Sequence, residues 1–158
     1  MIILGIDPGL ATTGFGLIDL NENKVRLLKY GCVKTQSHTD FAQRLFKISS
    51  ELDKVIKKFK PEKIAIEQIY FCKNVKTALL VGQARGAIIL TAIKNKVPIT
   101  DFTPLQIKQA ITGYGRAEKK QIQNMVTILL NLKKIPKPDD AADALAVAIC
   151  CAQTKNFS

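Results

Sequence analysis

The chain has 158 residues, of which 47% are hydrophobic and 23% charged, and its 24 Lys and Arg against 13 Asp and Glu give a net charge of +11. This composition excludes a disordered, fibrous or disulfide-stapled chain and points to one globular domain, residues 1–158, long enough to bury its own core. The basic excess argues for a polyanionic partner through phosphate contacts and counterion release, though charge alone says nothing about chemistry.

In chain order, Ile2 to Ile6 is an apolar run that ends at the turn signal Asp7-Pro8-Gly9, which predicts a strand and then a loop. Thr13 to Leu20 and Val25 to Val33 read as two further strands around a turn at Asn21-Glu22-Asn23. Thr39 or Asp40 can cap a helix whose apolar residues recur at Phe41, Leu45, Ile48, Leu52, Val55 and Ile56. Lys63 to Glu67 is a short buried strand, and it too ends in a carboxylate. Asn74 to Asn95 reads as a long helix with Gly82 and Gly86 on one face, which allows close packing against a neighbour. Val97 to Asp101 is the fifth strand. Helices follow at about Pro104 to Ile111, Glu118 to Leu130 and Asp139 to Cys151. A three-strand meander followed by alternating helices and strands implies an α/β layout, a mixed sheet covered by helices.

Cys32, Cys72, Cys150 and Cys151 form no CxxC pair and read as reduced small hydrophobes, which suits a cytoplasmic protein. The opening MIILGIDPG carries no basic leader and does not read as a signal peptide. The longest apolar run, around Ala87 to Ile93, is too short to span a bilayer, so no membrane partner is expected.

Four acids stand out by position. Asp7 and Glu67 end apolar strands, so parallel neighbours would present both at one sheet edge, the usual place for a site in an α/β sheet. Asp140 and Asp143 are three apart on a predicted helix and share a face. Ala141, Ala142 and Ala144 around them let that helix lie close to the sheet. Converging carboxylates repel unless cations sit between them, and hard oxygen ligands suit Mg²⁺, with Mn²⁺ able to substitute. Two such ions roughly 4 Å apart can drive phosphodiester cleavage without a protein nucleophile. The single histidine, His38, lies in a polar loop, and no Ser-His-Asp elbow is present. Taken singly, each acid has a plain structural reading: a turn, a strand end or a helix N-terminal acid. Asp139 fits the helix N-cap rather than the site.

Between Phe102 and Pro138 the basic residues are Lys108, Arg116, Lys119, Lys120, Lys133, Lys134 and Lys137, with Glu118 the only acid. This strip reads either as a phosphate-binding surface beside the metal site or as a solvated helix face. After Glu67, Tyr70 and Phe71 cannot both face one core, so one of them is free to stack on or wedge between bases, unless both pack under the loop.

The segments IDPGLATTGFG, AIEQIYF followed by Lys73-Asn74, VGQARG, GYGRAEK and DDAADALAVAI occur here in the order seen in the RuvC family of crossover junction endodeoxyribonucleases, which the chain resembles over nearly its whole length. The resemblance implies a ribonuclease-H-like fold with a mixed five-stranded sheet flanked by helices. It implies a homodimer that binds four-way DNA junctions and nicks two strands of like polarity, in the bacterial cytoplasm and at the nucleoid during repair. It carries the catalytic carboxylates onto Asp7, Glu67, Asp140 and Asp143, with two Mg²⁺ per site. The junction-probing aromatic falls on Tyr70 and the active-site lysines on Lys108 and Lys119; Arg116 and Lys120, from the basic strip itself, are expected as further DNA contacts. A branch-migration complex is implied as a partner. Many relatives have phenylalanine where this chain has Tyr70. An actin-like ATPase shares the opening turn but needs a chain more than twice this length. A non-catalytic DNA-binding module leaves the four acids unexplained, and a nuclease of structured RNA is set apart only by the resemblance.

Overall fold

In the computed structural model, which describes residues 1–22, 24–69 and 74–154, ten elements follow one another. Strands β1 (Ile2–Asp7), β2 (Thr12–Asn21) and β3 (Lys24–Lys34) form an antiparallel meander. Helix α1 (Phe41–Phe59) leads to β4 (Lys63–Glu67), α2 (Val75–Lys94) to β5 (Ile99–Phe102), and α3 (Pro104–Thr112), α4 (Lys119–Leu129) and α5 (Asp139–Gln153) close the chain. The sheet order is β3-β2-β1-β4-β5, with β4 parallel to both β1 and β5. This is the mixed sheet expected.

Side-chain alternation along the strands divides the core into two layers. Leu4, Ile6, Leu17, Ile64 and Ile66 face α1 and α2, where they meet Ile48, Leu52, Ile56, Ala84 and Ile88. Ile3, Ile18 and Ala65 face the other way, toward Leu145, Ile149, Ile107 and Val126 of α3, α4 and α5. Leu145 and Ile149 are almost fully buried, and truncating either to alanine costs about 2–5 kcal/mol.

Local signals set the helix starts. Asp40 accepts from the Gln43 backbone N–H at the head of α1, and Asn74 accepts from Lys76 and Thr77 at the head of α2. Thr103 and Gln106 form a capping box before α3, with Pro104 at its first position. Two expectations shift. The fifth strand runs over Ile99–Phe102 rather than Val97–Asp101, because Val97 turns inward to the core. The α5 cap is Pro138, not Asp139. Asp139 is the first helical residue, and its carboxylate is drawn to Lys137 at 2.7 Å instead of back to the helix N–H groups.

Helix α2 also departs from the sequence reading. At 20 residues it has the length and apolar composition of a membrane span. Val75, Leu79, Leu90 and Ile93 are 61–73% exposed, and with Gly82 and Gly86 they form one stripe along the helix. Among the described residues, a side-chain carbon added at Gly86 would meet nothing within 4 Å and one at Gly82 only Ile69 at 3.9 Å, so this face is open there.

Candidate nuclease site

Parallel pairing of β1 with β4 runs from Ile3–Lys63 to Ile6–Ile66. One step further along both strands are Asp7 and Glu67, side by side at their C-terminal ends. Alternation puts both on the face of Ile3 and Ala65, which is the face that carries α5.

Two glycines let α5 reach that face. A side-chain carbon at Gly5 would strike the Ala144 carbonyl and lie 2.6 Å from the Ala148 nitrogen. One at Gly14 would strike the Asp140 carbonyl. Gly14 is the cross-strand partner of Asp7, so the helix backbone at Asp140 rests beside Asp7. Buried Ala141, Ala142 and Ala144 complete the close contact. Asp140 and Asp143, on one helix face, are thereby brought to the first two acids, as the sequence spacing predicts.

Helices α3 and α4 add cations. They pack on α5 through Ile107, Ile111, Ile122 and Val126. Lys108 from α3 and Lys119, the first residue of α4, line a cleft of about 190 Å³ with Glu67, Asp143, Pro104 and Ile122. The Glu118 backbone N–H donates to Gln121 at 2.8 Å, which holds the start of α4 and with it Lys119. The Lys119 ammonium is 3.0 Å from Asp143 and 3.6 Å from Asp139.

The electrostatics show acids crowded in a dry place. Burial, then the charges of Glu67, Asp143 and Asp140, push the Asp7 carboxyl up to about 8. Burial, then Asp143, pushes Glu67 up to about 7, against the lowering pull of Lys108 and Lys119. Asp143 is raised because its burial outweighs its bond to Lys119. Burial alone would lower Lys119, but its hydrogen bond to Asp143 and the charges of Asp143, Asp139 and Asp140 hold it above its ordinary value. The Asp139 carboxyl is lowered by its bond to Lys137.

Among the described residues, no three His, Cys, Asp or Glu side chains already converge as a closed ligand group. Asp7 and Glu67 share a side-chain hydrogen bond, and Lys119 occupies Asp143. The donor set still fits a hard divalent cation: four carboxylates supply oxygen ligands, and burial and neighbouring charge oppose the ionisation of Asp7, Glu67 and Asp143. Asp7, Glu67, Asp140 and Asp143 are the residues that would hold it.

Arg116 and Lys120 are exposed and do not line the cleft, so the basic strip contributes Lys108 and Lys119 to it directly and the other two only at a distance. Tyr70 and its neighbour Phe71 lie outside the described residues. Sequence reasoning missed Asp139 as a partner of Lys119. No helix periodicity reports a pairing between the starts of two different helices.

A family model described as crossover junction endodeoxyribonuclease RuvC matches residues 3–151. A crossover junction endodeoxyribonuclease RuvC from Alkaliphilus oremlandii is 55% identical over 158 residues, covering 100% of this chain and 96% of that protein. The structure of Thermus thermophilus RuvC superposes with a TM-score of 0.89 at 36% identity, covering 95% of this chain and 92% of the other. The same protein in complex with its Holliday junction substrate superposes at 0.91, with the same identity and coverage. With its ribonuclease-H-like sheet and its strand-end acids, the chain belongs to the RuvC family of crossover junction endodeoxyribonucleases and is a nuclease.

Proposed function

We propose that the protein resolves four-way DNA junctions, nicking two strands of like polarity symmetrically by phosphodiester hydrolysis during homologous recombination and DNA repair. The observation that carries this reading is the meeting of Asp7 and Glu67 at one sheet end with Asp140 and Asp143 of α5, beside Lys108 and Lys119.

Family membership implies divalent-metal use, and we assign Mg²⁺, two ions per site, to the four carboxylates. Bound there, the cations supply water activation and stabilisation of the leaving oxygen. The chain's own groups do the rest. Asp7 and Glu67 sit on adjacent rigid strands, which fixes the reacting end of the site. The ionised form of either acid is disfavoured until positive charge arrives, so the site loads best above neutral pH. Lys119 reaches Asp143 from the start of α4 at 3.0 Å, and from there its ammonium would stabilise negative charge growing on a phosphate in the cleft. Lys108, across the same cleft, holds the phosphate from the α3 side. Tyr70, directly after β4 in sequence, is assigned to stack at the crossover.

Symmetric nicking needs two sites, and the uncovered α2 stripe is the face we assign to a second copy. Val75, Leu79, Leu90 and Ile93 supply apolar area, and Gly82 and Gly86 allow the two helices to approach closely. A branch-migration complex as partner, and the bacterial nucleoid as location, rest on family resemblance. The reading is tested by mapping the nicks. Cuts at matching positions in two strands of like polarity, sealed by DNA ligase, are the expected result; cuts in one strand only, or ends that ligase cannot seal, would overturn it.

A further inference from the structure

We propose that the groove between β3 and α1 is a second DNA surface, which grips the backbone of the junction arm flanking the scissile phosphate. This rests on the resolvase reading and adds to it a binding surface outside the carboxylate site. β3 is an edge strand, and with α1 it encloses a cleft of about 520 Å³. Five lysines line the cleft: Lys29, Lys34, Lys47, Lys54 and Lys58. All five are exposed, and the one acid among them, Glu51, is already paired with Lys54 at 2.6 Å.

The chemistry suits phosphate rather than bases. Val33, Phe15 and Phe59 form an apolar floor on which lysine stems can lie while their ammonium groups reach the rim. Phe15 is only 7% exposed, and the Lys58 ammonium stands 5.6 Å from the centre of the Phe59 ring. Phe15 is too buried for a base to stack on and Lys58 already stands over Phe59, so the groove offers charge rather than sequence readout.

The groove is continuous with the catalytic end of the sheet. Cys32 lines it, pairs across strands with Gly14, and Gly14 pairs with Asp7. On the other side of the same strand, the Cys32 thiol lies beside Asp140 and the Ala141 backbone at the head of α5. From that shared wall, Lys47, Lys54 and Lys58 run down α1 over about 16 Å of helix axis. A DNA backbone leaving the carboxylates around the β3 edge meets this row of cations.

The test is the salt dependence of junction binding, measured without divalent ions between roughly 50 and 300 mM salt, where cleavage does not interfere. The Lys47→Gln, Lys54→Gln, Lys58→Gln triple variant is compared with the parent and with a Lys24→Gln, Lys94→Gln, Lys96→Gln control of equal charge change. Three lost phosphate contacts lower the slope of log affinity against log salt by about 2–3, and weaken binding near 0.1 M salt on the order of 10- to 100-fold. An unchanged slope, or an equal loss in the control, overturns the proposal. So does an unchanged slope accompanied by loss of the parent's retention on polyglutamate, which would make the groove a docking site for an acidic protein. A parent that binds no four-way junction at all overturns the resolvase reading, and this surface with it.

Discussion

Replacing Asp7 by Asn separates the stability of the site from its chemistry. Burial and three neighbouring acids raise the Asp7 carboxyl from 3.8 to about 8. A shift of that size corresponds to a ceiling of about 5–6 kcal/mol against folding once the group is ionised in the unfolded chain. Neighbouring acids relax when one charge is removed, and the buried amide of Asn must itself find partners, so about 2–3 kcal/mol is the expected net gain. The sign follows from the direction of the shift. Below about pH 4 the carboxyl is protonated in both states and the difference vanishes. As pH rises from about 4 to about 8 the unfolded chain ionises first, and the metal-free native protein loses stability. Glu67, raised to about 7, contributes in the same sense. In EDTA at pH 8, Asp7→Asn should therefore melt about 5–10 °C higher than the parent, with a smaller gap at pH 5. Adding Mg²⁺ should raise the parent's Tm more than the variant's. Cleavage should be abolished while junction binding is kept or strengthened. A variant no more stable than the parent at pH 8, or an equal gap at pH 5 and pH 8, would refute the crowding of acids on which the site assignment rests.

Three further predictions follow from the same geometry. Lys119→Ala should slow single-turnover junction cleavage by about 10²–10³-fold with a much smaller effect on binding, and an unchanged rate would remove Lys119 from the chemistry. Gly14→Ala places a carbon against the Asp140 carbonyl. It should cost about 1–3 kcal/mol in urea unfolding and lower the cleavage rate by displacing α5; wild-type values of both would show that α5 does not ride on β2. Leu90→Glu, in the C-terminal half of the exposed α2 stripe, should convert a dimer to a monomer in sedimentation velocity. A dimer of unchanged affinity would move the interface elsewhere.

Much of the fold was legible because its signals are local. The strand meander, the amphipathic α1 and the Ala-rich α5 each declare their period within one segment, and the strand-end acids follow from where the apolar runs stop. The four carboxylates could be grouped from sequence because two end apolar strands, two share a helix face, and the alanines of α5 announce a close approach; that Gly5 and Gly14 complete this contact emerges only from the structure. What was not legible depends on pairings between distant segments. Asp139 looked like a cap, yet Lys137 and Lys119 claim its carboxylate. Gly82 and Gly86 signalled close packing, but the sequence does not say against what, and in the structure a side-chain carbon at Gly86 would meet nothing within 4 Å among the described residues. Nothing in the sequence singled out the α1 lysines, and only the edge position of β3 gathers them with Lys29 and Lys34 into one groove.

The most direct measurement is cleavage of an immobile four-way DNA junction, with and without Mg²⁺, beside a linear duplex of the same sequence. Junction resolution predicts paired symmetric nicks in the junction alone, only when the divalent ion is present, and none with Asp7→Asn. Binding without cutting in any divalent metal across several junction sequences, or equal cutting of the linear duplex, would contradict it.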